Sequence, residues 1–115
     1  MNQLCQPARW ATLLESVRFR HARGIWHCLV FLAMPDHVHA LVSLPDPSDW
    51  EKIVRSWKAF AAKRCGVRWQ AGFFDHRLRG GEQWELKARY IEENPVRKGF
   101  VSRPADWIYL WKPEG

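Results

Sequence analysis

Between Pro7 and Arg23 the apolar residues Trp10, Leu13, Leu14 and Val17 recur three and four positions apart, the period of one buried helix face, and Gly24 supplies a stop. Ile25 to Ala33 is a dense apolar run rich in β-formers. Met34-Pro35-Asp36 then reads as a tight turn and His37 to Leu44 as an alternating strand, so the spacing predicts a β-hairpin. Its second strand sends His37, His39, Leu41 and Ser43 to one face and Val38, Ala40, Val42 and Leu44 to the other. The histidines are expected to open a face whose opposite side is apolar. Ser48 followed by Glu51 has the form of a capping box that starts a second helix. Trp50, Ile53, Val54, Trp57, Phe60 and Ala61 make its buried stripe, and Gly66 ends it.

Phe73 to Arg79 alternates as a third strand, with Phe74, His76 and Leu78 opposed to Asp75, Arg77 and Arg79, and Gly80-Gly81 turns the chain. The last helix, Glu82 to about Glu93, separates an apolar stripe of Trp84, Ala88 and Ile91 from a polar one of Gln83, Lys87, Tyr90 and Asn94. Pro95 disfavours helical geometry at the residue before it, so the helix should end near Asn94. Phe100, Val101, Trp107 and Trp111 in the tail are expected to pack back over the sheet.

The chain's 115 residues allow one domain, 1–115, with a modest core. No apolar run is long enough to span a bilayer, so no membrane partner is expected. Met1 to Arg9 lacks the basic and apolar regions of a secretory signal, which makes a cytoplasmic, nucleoid-associated location the expectation. Cys5, Cys28 and Cys65 are odd in number and scattered, which suits reduced thiols better than disulfides or a zinc site. The net charge of +6 is uneven: residues 1–50 carry four Lys or Arg against four Asp or Glu, and residues 51–103 carry thirteen against six. A basic half interleaved with Trp57, Trp69, Phe73 and Phe74 suits phosphate contacts and base stacking on single-stranded nucleic acid. It is equally the pattern of a solvated surface over an aromatic core. Lys58, Lys63, Arg64, Arg68, Arg77, Arg79, Arg97 and Lys98 are candidates for phosphate contact as a group.

Against that background, His37-Val38-His39 and the pair Tyr90 and Asn94 stand out. Histidines one residue apart share a strand face, and residues four apart share a helix face. Two imidazoles, an amide oxygen and a phenol together suit metal-assisted phosphodiester transesterification. Duller readings remain: polar residues on a solvated sheet, a surface tyrosine, an Asn-Pro helix stop, or a structural zinc site. His76, beside Asp75 and Arg79, can be read as a DNA contact or as a cross-strand partner.

Met34-Pro35-Asp36-His37-Val38-His39, Ser56-Trp57-Lys58-Ala59-Phe60, Phe74-Asp75-His76 and Tyr90-Ile91-Glu92-Glu93-Asn94-Pro95-Val96-Arg97-Lys98-Gly99, in that order, resemble the REP-associated tyrosine transposases, a family of the HUH superfamily of single-strand nucleases. The resemblance implies an α+β fold in which an antiparallel sheet is flanked by helices, the ferredoxin-like HUH transposase fold. It implies His37, His39 and Asn94 as ligands of Mg²⁺ or Mn²⁺ and Tyr90 as the nucleophile that forms a 5′-phosphotyrosine. The implied partners are single-stranded DNA and hairpins of repetitive extragenic palindromes. Lys87 and Arg89 are neighbours that would supply positive charge to the phenol, since a phenol is mostly protonated at neutral pH.

One departure is visible. Family members begin with a strand before the first helix, and Met1 to Gln6 is too short and too polar to replace it. Its absence would leave backbone groups of its neighbours open. Three outcomes follow: direct pairing of the remaining strands, completion by a second copy in a homodimer, or a truncated, catalytically inactive DNA-binding descendant.

Overall fold

The computed structural model describes residues 4–67 and 84–113, together with the backbone of His76–Arg77. The first helix, α1 (Pro7–Ala22), leads into the hairpin β1 (His27–Ala33) and β2 (Val38–Ser43). After a 3-10 turn at Pro47–Asp49 come α2 (Trp50–Cys65), β3 (His76–Arg77), α3 (Trp84–Glu92) and a single turn, α4 (Asn94–Arg97). A second 3-10 turn, Pro104–Asp106, precedes β4 (Leu110–Trp111). The architecture is α+β, as the sequence implied. No helix among the described residues is long and apolar enough to cross a membrane.

The sheet order is β3-β2-β1-β4. The central hairpin is antiparallel, pairing Leu32 with His39 and Phe31 with Ala40, and β4 adds antiparallel to the free edge of β1. That last strand, absent from the sequence reading, is where the aromatic tail packs back. Trp107 donates its indole N–H to the Ala33 carbonyl at 3.1 Å. On the other edge β3 joins β2 in parallel, with Leu41 opposite His76 and Val42 opposite Arg77. The place beside the histidine strand is therefore taken, at these two positions, by direct pairing within the chain. Ahead of α1, Leu4 acts as a plug: it is fully buried, and its N–H donates to the Pro35 carbonyl at 2.9 Å.

β1 reads as a continuous apolar run because both faces of the sheet are covered. On one side Cys28, Phe31, Ala33, Val38 and Val42 meet Leu13 and Val17 of α1 and Trp57 and Ala61 of α2. Phe31 sits between Trp10, stacked at 5.6 Å, and Trp57, edge-on at 5.8 Å. On the other side Val30, Leu32, Met34 and Leu41 meet Ala88 and Ile91 of α3. A register shift between Cys28 and Val30 lets Leu29 and Val30 both serve this second cluster. The stripe of α2 is core rather than stacking surface at Trp57, whose indole N–H donates to the Ser16 hydroxyl at 2.8 Å.

Three expectations need correction. The histidine face is not open: α3 lies over it, and His39 is buried. The capping box does not form: α2 begins after Asp49 with no side-chain cap, and Asp46 caps the 3-10 turn before it. The Asp46 carboxylate accepts from the Ser48 N–H at 3.0 Å and from the Ser48 hydroxyl at 2.8 Å, which occupies the serine that would have capped. Trp84 does not join the apolar stripe. It sits one turn before Ala88, beyond the reach of the sheet's apolar face, and is 42% exposed. Most of the expected third strand, with Trp69, Phe73, Phe74, Arg68, Arg79 and Gly80-Gly81, lies outside the described residues.

All three cysteines are free, and burial pushes the Cys5 thiol up to about 11 and Cys28 up to about 12. Both therefore stay protonated at neutral pH. Gly66 ends α2 at φ +68, with its N–H on the Ala62 carbonyl, and nothing lies within 4 Å of where a Cβ would be. Gly66→Ala should thus cost only the left-handed backbone strain, about 1 kcal/mol. Urea unfolding that shows no loss would mean the cap is not strained.

Candidate active site

The hairpin turn builds the first half of the site. The Met34 N–H donates to the His37 carbonyl at 2.8 Å, closing the turn and fixing His37 one residue before β2. Its ring stands edge-on to that of His39, with centroids 5.0 Å apart and planes at 83°. His37 is half-buried, and its Nδ1 lies 2.9 Å from the Asp36 carboxylate. A carboxylate on one imidazole nitrogen orients the ring and leaves Nε2 as the nitrogen for a metal. Asp36 is a site residue that the sequence reading saw only as part of a turn. The signal was its place directly before the first histidine.

The helical layer supplies the second half. Asn94 opens α4 directly after α3, and it is buried. Its amide Nδ2 lies 3.2 Å from His39 Nε2, joining residues 55 apart in the chain. The amide oxygen is buried with no hydrogen-bond partner among the described residues. A buried carbonyl oxygen left without a donor is costly, which is the expected state of a ligand waiting for a cation. A half-turn of the amide exchanges its oxygen and nitrogen and brings the oxygen beside His39. Atoms about 3 Å apart are spaced like adjacent ligands of a small six-coordinate divalent ion. The donor set of His37, His39 and Asn94 therefore fits Mg²⁺ or Mn²⁺. Among the described residues no three His, Cys, Asp or Glu side chains gather as a metal cage, so the amide is the third protein donor on offer.

Tyr90 lies one helical turn before Asn94, and the bond from the Glu93 N–H to the Arg89 carbonyl carries the helical path between them. Its ring is 57% exposed, with the Arg97 guanidinium carbon 4.0 Å from the ring centroid. Arg97 also donates from Nη2 to the Tyr90 carbonyl at 2.8 Å and stands 4.0 Å from the Glu93 carboxylate. By helical spacing Lys87 and Tyr90 share one flank of α3, and Asn94, opening α4, continues it. Arg89 does not share it. It lines a cleft on the opposite flank with His21, His27 and Trp84.

That cleft holds the chain's other histidine pair, whose ring centroids are 4.9 Å apart. Its chemistry is different. His21 Nδ1 accepts from the Cys28 N–H at 3.0 Å, which leaves Nε2 carrying the proton in the neutral ring. Burial, and then the neighbouring His27, hold His21 below the ordinary imidazole range. A ring in this state offers no lone pair to a metal.

The described members of the basic group lie on both sides of the sheet. Lys58, Lys63 and Arg64 are on α2, whose buried residues belong to the opposite side of the sheet from α3. Arg64 leans over Phe60 on its own helix, 5.9 Å from the ring. Arg97 ends α4 and Lys98 follows it on the tyrosine side, both exposed. His76 and Arg77 are placed on β3 beside the histidine strand by their backbone. Arg68 and Arg79 are outside the described residues.

No profile of a known family matches the chain. A REP-associated tyrosine transposase of Escherichia coli K12 is 29% identical over 86 residues, a match covering 69% of this chain and 50% of that protein. A Haemophilus influenzae protein assigned provisionally to the same family is 28% identical over 93 residues, covering 66% of this chain and 53% of that one. The chain thus spans about half the length of the curated relatives it matches. A solved REP-associated tyrosine transposase bound to a REP hairpin superposes with a TM-score of 0.75 at 24% identity, covering 95% of this chain and 67% of the solved one. In sequence, the proteins this chain is similar to are REP-associated tyrosine transposases, and its α+β fold is the fold of a solved one.

Proposed function

We propose that this chain is a REP-associated tyrosine transposase of the HUH type, a metal-dependent single-strand DNA transesterase that cuts at hairpin or palindromic elements. The observation that carries the reading is the contact of Asn94 with His39, made by a buried amide whose oxygen has no hydrogen-bond partner among the described residues, one turn from an exposed tyrosine.

In this reading His37, His39 and Asn94 hold Mg²⁺ or Mn²⁺, which would supply Lewis-acid polarisation of the phosphate. Asp36 orients the His37 ring. The Tyr90 oxygen attacks phosphorus as its proton leaves. A new O–P bond forms, the bond from phosphorus to the 3′-oxygen breaks, and the departing oxygen takes up a proton. The result is a 5′-phosphotyrosine and a free 3′-hydroxyl. Because the phosphoester is exchanged and not hydrolysed, rejoining needs no external energy source. Lys98, with Lys87 on the flank of α3, is the candidate for holding the strand, and DNA is the partner. The cations of α2 would meet only DNA that wraps to the other side of the sheet.

The test is incubation of the chain with an end-labelled single-stranded REP-type hairpin and Mn²⁺, followed by denaturing electrophoresis. A labelled adduct that withstands denaturation is expected. Hairpin binding with no adduct at any Mn²⁺ concentration would select the catalytically inactive DNA-binding reading instead.

A further inference from the structure

We infer that Arg97 is a positioning residue for the nucleophile and not one of the phosphate contacts, an assignment that rests on the reading of Tyr90 given above. An exposed tyrosine on a helix surface has several rotamers open to it, and only one can present its oxygen to a phosphate held at the histidine pair. Something must select that rotamer. Arg97 has the geometry to do so: its guanidinium carbon lies over the Tyr90 ring, 4.0 Å from the centroid, within the range of a cation–π contact.

The guanidinium is itself held from two directions. Nη2 donates to the Tyr90 carbonyl at 2.8 Å, and Nη1 faces the Glu93 carboxylate at 4.0 Å. A planar, forked cation can lie on a ring and donate within its own plane at once, whereas an ammonium has no plane to stack. The arrangement is also local. Arg97 lies in α4, whose first residue is Asn94, so the turn that carries the amide to His39 also carries the clamp to Tyr90. Each donor committed to the Tyr90 carbonyl, or turned toward Glu93, is withdrawn from a DNA backbone. A phosphate contact would instead project its fork into solvent.

The experiment compares the parent chain with Arg97→Met and Arg97→Lys, using the same labelled hairpin and Mn²⁺. Single-turnover adduct formation is expected to slow roughly ten- to a hundred-fold in both variants, the scale of a misplaced reacting group. The dissociation constant for the hairpin and its salt dependence should stay at parental values. A phosphate contact predicts the converse: weaker binding and a salt slope reduced by about one. That result, or full rescue by lysine, overturns the proposal. Arg97 is exposed, so both variants should fold. A second readout is the Arg97 Nε–H resonance, expected to sit upfield under the Tyr90 ring current and to return downfield in Tyr90→Leu. An unshifted resonance overturns the contact itself. If the parent chain forms no adduct, the nucleophile reading fails and this assignment falls with it. Slow variants of an active parent are the supporting result, and parental rates in both variants overturn the positioning role alone.

Discussion

Tyr90→Phe is expected to abolish the covalent protein–DNA adduct while leaving hairpin binding within about two-fold of the parent. Removing a nucleophile typically lowers turnover by on the order of 10⁴-fold or more, because nothing else in the site can form the same intermediate. The ring is retained, so the Arg97 contact persists and the exposed side chain adds no cavity. Circular dichroism and the unfolding midpoint should therefore match the parent. An adduct that survives in the phenylalanine variant would move the nucleophile elsewhere. Tyr109 is the only other tyrosine in the chain, and it packs edge-on against Trp10 at 5.8 Å.

The second large effect concerns Asn94, where stability and metal response should part company. In metal-free buffer Asn94→Leu, similar in volume, removes the unpaired amide oxygen but also the Nδ2 contact with His39 Nε2, so it should lose about 1–3 kcal/mol relative to the parent. Adding Mn²⁺ at about a hundred times its dissociation constant should stabilise the parent by about 2.7 kcal/mol, and the variant far less. Strand cutting should fall by at least about 100-fold in the variant. The readout is a thermal midpoint with and without Mn²⁺, which does not depend on activity. Equal metal-linked shifts in the two proteins would show that Asn94 is not a ligand.

Much of this was legible before any coordinates. Helix α1 and the end of α2 at Gly66 follow from local period and a single αL position, and the hairpin from a polar turn between apolar strands. The two-face reading of β2 also holds, with Val38 and Val42 in one cluster and Leu41 in the other. Asp36 was missed because a turn aspartate and a histidine-orienting carboxylate look identical in sequence. β4 was missed because two residues carry no periodicity. Which side of the sheet the described cations occupy was not legible, because a count along the chain has no record of which side of a sheet a helix covers.

Sequence by itself determined the inventory and the local geometry: a His-x-His strand, a Tyr-x-x-x-Asn helix end, a proline that stops the helix near Asn94. These depend on residues within a few positions of one another, where backbone sterics and side-chain period decide. Only the tertiary structure decided that α3 closes over the histidine face, that Asn94 meets His39 across 55 residues, and that Arg97 stacks on Tyr90. Such contacts follow from the burial of Ala88 and Ile91 against Val30, Leu32 and Leu41, a packing choice in which every segment takes part at once.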